Sequence, residues 1–262
     1  MPNLAQLLST KSPVEHQQIF NLCRELSETI AQVESVYVVG GVVRDLILGR
    51  EPVDADISVV GDAGAFSGAL AGRLGAARPT ESEFLTFKII LENTSEGATS
   101  IDVVTARAET YAEPAALPDV VPSSIEDDLE RRDFTVNSMG ISLSDSDWGN
   151  LVDPMNGLGD IMRKRIRVLH DASFADDPTR LFRAVRYAVR LDFSIDSTTK
   201  SLIDDSLGKV DRLSGARLRN EFELMLGEPK RVEILHEAED LGLLAAISPG
   251  LRIGSRSLEV ME

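Results

Sequence analysis

Residues 36–60 read VYVVGGVVRDLILGREPVDADISVV. The order is an apolar strand, a glycine turn at Gly40-Gly41, a short helix, a loop and a second strand. The second strand carries Asp54 and Asp56, and side chains at i and i+2 of a strand share a face. Two carboxylates side by side repel unless positive charge lies between them. Oxygen-only donors favour Mg²⁺, which takes one or two carboxylates together with substrate phosphates. A two-glycine turn at a helix start complements this, because bare backbone N–H groups can approach an anionic phosphate. Phosphate cradle and metal carboxylates within one short segment point to chemistry on a nucleoside triphosphate.

Working outward, Asp102 sits in SIDVVTAR, an apolar strand-like run in which an acid needs a partner. If this strand lies beside that of Asp54 and Asp56, three carboxylates converge, enough for two metal ions roughly 3.5–4 Å apart. The plainer alternative is an ion pair with Arg107. The next signal is Arg131-Arg132-Asp133-Phe-Thr-Val-Asn137, read as opening an apolar helix after the acidic run Glu126-Asp127-Asp128. Arginine suits phosphate because its planar fork pairs bidentately, and a nearby carboxylate could accept from a ribose 2′-hydroxyl.

The third signal is Asp176-Asp177-Pro-Thr-Arg180-Leu-Phe-Arg183-Ala-Val-Arg186. On a helix Asp177 and Arg180 would share a face. That is either an ordinary salt bridge of little worth or a reader of nucleobases. Cytosine and adenine both present an exocyclic amine beside a bare ring nitrogen. A carboxylate can accept from the amine while a guanidinium donates to the ring nitrogen. Uracil and guanine reverse both groups, so one Asp/Arg pair could select C and A without a template. Arg183 and Arg186 extend the positive stripe toward the triphosphate.

The rest of the chain bounds these readings. Its 262 residues allow one large domain or two modest ones, and 43% hydrophobic content supports a core. One cysteine, Cys23, leaves no internal disulfide or cysteine zinc cluster, and His16, His170 and His236 form no metal-ligand pattern. Without a long apolar run or signal peptide, a cytoplasmic protein with no membrane partner is expected. A net charge of −16 weighs against broad nucleic-acid binding, although arginines crowd into 163–190. Ser12-Pro-Val-Glu15 reads as a capping box opening an N-terminal helix through Ile19, Cys23, Leu26, Ile30 and Val33, packed on the head. Residues 36–142 alternate strands, among them Thr86–Leu91 and Ser100–Thr105, with short helices such as 64–75. Residues 107–122, with three prolines, suggest a surface loop placed as a lid. Residues 143–160 mark a joint, and 161–262 read as helix after helix.

In combination, GG-x-V-R-D with Arg44, then D-x-D, RRDFTVN, Asp153-Pro-Met-Asn-Gly157-Leu-Gly-Asp160, DDPTR and Leu213-Ser-Gly-Ala-Arg217-Leu-Arg219-Asn-Glu221 resemble, in order, the class II CCA-adding enzyme and bacterial poly(A) polymerase family. The resemblance covers roughly residues 36–245. It implies an α+β nucleotidyltransferase head, a mixed sheet with helices, followed by an all-α neck. It implies catalytic and metal-binding roles for Asp54, Asp56 and Asp102. Nucleotide-binding roles fall to Gly40, Gly41, Arg44, Arg132, Asp133, Asn137, Asp177, Arg180, Arg183 and Arg186, with a hinge at 153–160. Asp176 and Tyr187 stand where the family has Glu and Phe, and Ala115 stands where related loops commonly have glycine. The implied reaction is attack of an RNA 3′-hydroxyl, most naturally that of tRNA, on the α-phosphate of CTP or ATP with two Mg²⁺ ions and release of pyrophosphate. Full CCA addition, partial addition and poly(A) synthesis remain open, with a lean toward A addition or poly(A). A non-catalytic RNA-binding or scaffold paralogue, and a transferase acting on a small acceptor, are the competing readings. Family members continue into a helical body and tail that hold tRNA, so a second chain supplying those parts is a further expectation; DNA is not an expected partner.

Overall fold

The computed structural model describes residues 4–52, 55–94, 97–110 and 118–254. They divide into two units. One holds residues up to Glu109, Val120–Arg132 and Val136–Leu158, and the other holds Thr110–Asp119, Asp133–Thr135 and the chain from Gly159.

The first unit is built on a seven-stranded sheet of order β3-β4-β5-β2-β1-β8-β9. Its strands are β1 (Val33–Val39), β2 (Ala55–Gly61), β3 (Thr80–Glu81), β4 (Thr86–Thr94), β5 (Gly97–Thr105), β8 (Gly140–Ser142) and β9 (Leu151–Val152). Between them in sequence lie the paired strands β6 (Arg107–Thr110) and β7 (Asp119–Pro122). Only β2 and β5 run parallel; the other sheet neighbours are antiparallel. The sheet is therefore mixed. The central strands are β-branched and buried, with Val36, Val38, Ile57, Val59, Ile101 and Val103 at 0% exposure, as expected where helices cover a sheet.

The helices of this unit are the short α1 (Leu4–Gln6), α2 (Val14–Thr29), α3 (Gly41–Ile47), α4 (Ala63–Leu74) and α5 (Ile125–Glu130). α2 packs on β1 and α4, burying Ile19, Phe20 and Cys23. α4 is capped by Asp62, which accepts from the Ala65 amide, and ends at Gly75 in the left-handed region, the usual way to close a helix. On α5, Ile125 and Leu129 pack with Tyr37 and Val39.

Four local expectations are corrected. Ser12 is not a capping-box residue: its hydroxyl donates to the Leu7 carbonyl, and α2 begins after Pro13 without a side-chain cap. The helix stops at Thr29, and Val33 starts β1. RRDFTVN does not open a helix: Arg131 is the C-cap of α5, and the segment turns through a 3₁₀ turn at Thr135–Asn137 into β8. The segment 143–160 contains β9, an edge strand of the head sheet.

The second unit is mainly helical: α6 (Gly157–Met162, which crosses the boundary), α7 (Ser173–Asp176), α8 (Thr179–Leu191), α9 (Ser197–Ser206), α10 (Gly215–Leu226), α11 (Arg231–Asp240) and α12 (Leu243–Ile247). Contrary to the expectation of helices alone, two-residue strands β10 (Arg165–Ile166) and β11 (Ser194–Ile195) pair in parallel. α8 is the spine of this unit. It packs on α10 and α11, and Leu181, Phe182, Ala184, Val185, Ala188 and Leu191 form its buried stripe.

Candidate active site

In the first unit, the parallel register of β2 and β5 sets Asp56 directly beside Asp102. The antiparallel register of β4 and β5 sets Lys88 on the other side of Asp102. Three charged residues thus form one row across three strands, on one face of the sheet. Lys88 Nζ lies 3.3 Å from Asp102 Oδ1, yet that oxygen accepts no hydrogen bond. Asp102 pairs with Lys88, while Arg107, the partner considered from sequence, donates to Glu109 at 3.0 Å. Asp54, the third expected carboxylate, lies outside the described residues, as does Ala115. Among the described residues no group of three or more His, Cys, Asp or Glu is gathered for a metal. Asp56 and Asp102 still fit a hard divalent cation: an oxygen-only donor pair, with one buried oxygen lacking a hydrogen bond.

The glycine turn departs from its expected use at one atom. The Gly40 amide donates to the Met139 carbonyl at 3.0 Å, so it ties the turn to the segment entering β8. Gly40 has φ +75° and ψ −133°, a conformation open essentially to glycine alone. A Cβ there would lie 2.6 Å from Arg132 Nη1. The absent side chain is what lets the guanidinium reach the turn. Arg132 Nη2 donates to Asp128 Oδ2 at 3.1 Å, and its Nε has no partner.

Arg44 and Asn137 are drawn into packing. Arg44 is 3% exposed; it donates to both oxygens of Asp45 at 2.9 and 2.8 Å and to Asn137 Oδ1 at 2.5 Å. This network fixes α3 against the 3₁₀ turn.

In the second unit, Asp133 accepts from Arg183 Nε and Nη2 at 2.9 and 2.5 Å through Oδ2, and from the Phe134 amide at 2.8 Å through Oδ1. The adjacent carboxylate holds Arg183 firmly in its charged form, outweighing burial. Asp177 is not on α8 but in an extended residue between α7 and α8, with φ −138° and ψ 96°. The helical i, i+3 argument for Asp177 and Arg180 therefore fails. Pro178 disfavours helix at the residue before it. Asp177 Oδ1 caps α8 through the Thr179 amide and hydroxyl at 3.0 and 2.7 Å, and takes Arg217 at 2.6 Å. Arg180 is 6% exposed and donates to Ser173 Oγ at 2.8 Å. Arg186 lies 3.9 Å from Glu228 and over the Tyr187 ring at 5.3 Å, with its Nε unpartnered.

The sequence alone does not mark Lys88, Asp128 or Glu221 for chemistry. Glu221 is 5% exposed, with Oε2 lacking a partner. Burial raises its carboxyl above the usual range, against the pull of Arg183 and Arg186. For Lys88, only the β4–β5 register carries the signal. For Asp128, the signal is its spacing three and four residues before Arg131 and Arg132.

A mixed-sheet head carrying this row of two aspartates and a lysine, followed by a helical unit, is the arrangement that the comparisons place among nucleotidyltransferases. Residues 36–167 match the family of the poly(A) polymerase head domain, and residues 192–253 match a probable RNA- and SrmB-binding site of polymerase A; the chain belongs to this poly(A) polymerase head-domain family. It is 40% identical over 244 residues to an A-adding tRNA nucleotidyltransferase of Geobacter sulfurreducens, covering 92% of this chain and 27% of that protein. It is 37% identical to one of Halalkalibacterium halodurans, covering 97% of this chain and 59% of the relative. A structure of a CCA-adding enzyme in an apo form superposes with a TM-score of 0.86 at 35% identity over 97% of this chain and 59% of that one. The Thermotoga maritima CCA-adding enzyme complexed with tRNA gives 0.81 at 33% identity, over 97% and 57%. The chain thus spans between about a quarter and three fifths of these proteins.

Proposed function

We propose that this chain carries a template-independent nucleotidyltransferase activity that adds A or C, from ATP or CTP, to the 3′ end of tRNA, with A addition as its branch. The observation that carries the reading is the Asp56–Asp102 pair in register on parallel strands, with Asp102 Oδ1 lacking a hydrogen bond. The A-adding names of the two relatives support the branch.

Asp56 and Asp102 would hold Mg²⁺, together with Asp54. The ion would supply charge neutralisation at the triphosphate and activation of the attacking hydroxyl. The chain's own residues bind and orient. Arg132, set against Gly40, binds the triphosphate as a fork. Lys88 neutralises Asp102 when no cation is bound. Asp177 and Arg180 read the base edge, accepting from the exocyclic amine and donating to the ring nitrogen. Asp177 is held for this by the Thr179 cap and by Arg217. Asp133 orients α8 through Arg183. After β9, residues 153–160 act as the joint. Among the described residues no helix is long and apolar enough to cross a membrane, and the reading is of a cytoplasmic tRNA-processing protein.

The test offers each of the four labelled nucleoside triphosphates to tRNA ending at the discriminator base, at C or at CC, with Mg²⁺. A addition predicts label from ATP on the CC-ending acceptor above all. Label from CTP on the shorter acceptors would move the chain to the CC or CCA branch, and long A tails would move it to poly(A) synthesis.

A further inference from the structure

Both arginines of the RRDFT segment converge on one buried acid. Asp128 on α5 is 0% exposed, and its two oxygens are divided. Oδ1 accepts from Arg131 Nε and Nη2 at 3.0 and 2.7 Å. Oδ2 accepts from Arg132 Nη2 at 3.1 Å and from Ser58 Oγ at 3.4 Å. The spacing is i, i+3 and i, i+4, so the end of one short helix gathers both guanidiniums on its own acid.

The two arginines then part. Arg131 Nη1 goes on to Glu109 at 2.8 Å. Glu109 also takes Arg107 at 3.2 and 3.0 Å, and Arg107 donates to the Phe84 carbonyl. This branch knits α5 to β6 and to the turn before β4. Arg132 instead turns Nη1 toward Gly40, into space that only a glycine leaves.

We propose that Asp128 is the positioning residue of nucleotide binding: its Oδ2 fixes the Arg132 guanidinium against the Gly40 turn before the triphosphate arrives, while its Oδ1 serves the Arg131–Glu109–Arg107 brace. Orienting a long, rotamer-rich side chain in advance removes an ordering cost from binding. A carboxylate sealed from solvent can do this because its charge is maintained. Burial pushes the Asp128 carboxyl up, and the two guanidiniums more than reverse the effect. The neighbouring Asp127 is exposed and engages Ser123 and Ser124, so it has no such reach.

The proposal rests on Arg132 binding the triphosphate, and direct binding separates the two claims. ATP and adenosine affinities are measured with Mg²⁺ by calorimetry for the wild type, Asp128→Asn, Arg132→Ala and the double variant. The wild type should prefer ATP, and Arg132→Ala should reduce that preference about tenfold or more, the scale of a charge-assisted contact. Asp128→Asn should reduce it about fivefold without changing adenosine affinity. In the Arg132→Ala background it should change the preference by less than about twofold. A general structural defect would instead lower the affinity for both ligands and multiply in the double variant, and that result overturns the proposal. Should Asp128→Asn fail to fold, Asp128→Glu keeps the charge and displaces it by a methylene; the same loss supports the proposal, and a wild-type preference overturns it. A wild type without preference for ATP over adenosine would overturn the nucleotide-binding reading, and the role of Asp128 with it.

Discussion

Gly40 can be judged from its backbone and its surroundings independently. Its dihedrals disfavour any L side chain, and a Cβ would press on Arg132 Nη1 at 2.6 Å. Gly40→Ala should therefore cost about 1–3 kcal/mol in denaturant unfolding. It should also weaken ATP binding by displacing Arg132. Wild-type stability together with wild-type ATP affinity would contradict both arguments. Base reading is equally local: Asp177→Ala or Arg180→Ala should lose about 1–3 kcal/mol of discrimination for A and C over U and G. Competition among the four triphosphates measures this, and an unchanged preference would reduce the pair to packing. At this scale the sequence was legible where spacing alone sets geometry. Asp56, Asp102, Gly40 and Arg132 stand out by type and motif. Lys88 did not, because its place beside Asp102 depends on a strand register that no local pattern fixes. The resemblance gives Arg44 a nucleotide-binding role, and in the structure its guanidinium donates to Asp45 and Asn137. A motif names a residue but not the direction of its side chain.

The helix α8 shows what an element needs in order to present such residues. It is anchored at one end by the Asp177 cap and along its length by Asp133–Arg183. Burying an ion pair stabilises little in itself, but removing one partner strands the other. Asp133→Ala should thus lower unfolding free energy by about 2–4 kcal/mol, with much of the loss recovered when Arg183→Met is added; additive losses in the pair would show that the two residues act separately. Glu221 on α10 gives a pH signature. Its carboxyl is raised in the folded state, so the native form binds the proton more tightly than the unfolded chain. Its contribution is fully present below the ordinary glutamate range and is lost as pH rises through the raised value. Glu221→Gln should therefore stabilise the protein at pH 7.5 relative to wild type and do so less at pH 4. Equal effects at both values would contradict the assignment. The bounds of α4 were legible to within a residue, whereas β5 begins at Gly97, three residues before the expected Ser100. Boundaries failed where the preceding local turn or helix claimed the residue: Ser12 turns back to Leu7, and the RRDFTVN segment follows α5 rather than opening a helix of its own.

For the whole molecule, the charge of −16 and the arginine-rich stretch 163–190 no longer conflict. Arg165, Arg167, Arg183, Arg186 and Arg190 are paired with Asp196, Asp160, Asp133 and Glu228. These pairs offset much of the stretch's positive charge, while Arg163 and Lys164 stay exposed, which leaves charge for only a few phosphates of an RNA backbone. Filter binding of tRNA across a salt series should then give a shallow slope, about −2 in log K against log salt, corresponding to two or three phosphates. A steep slope with nanomolar affinity would show that these pairs open to RNA. The division into a mixed-sheet unit and a helical unit was legible from the switch between strand and helix periodicity. The excursion of Asp133–Thr135 into the second unit was not, because it depends on long-range partners such as Arg167 and Arg183. In the proposed function the aligned aspartates make this chain a metal-dependent transferase. Single-turnover transfer from labelled ATP to CC-ending tRNA, with and without Mg²⁺, for wild type, Asp56→Ala and Asp102→Ala, tests it most directly. Wild type should give Mg²⁺-dependent label on the tRNA, and each variant should lose at least about a thousandfold while keeping a folded circular dichroism spectrum. Transfer by either variant at the wild-type rate, or transfer indifferent to Mg²⁺, would contradict it.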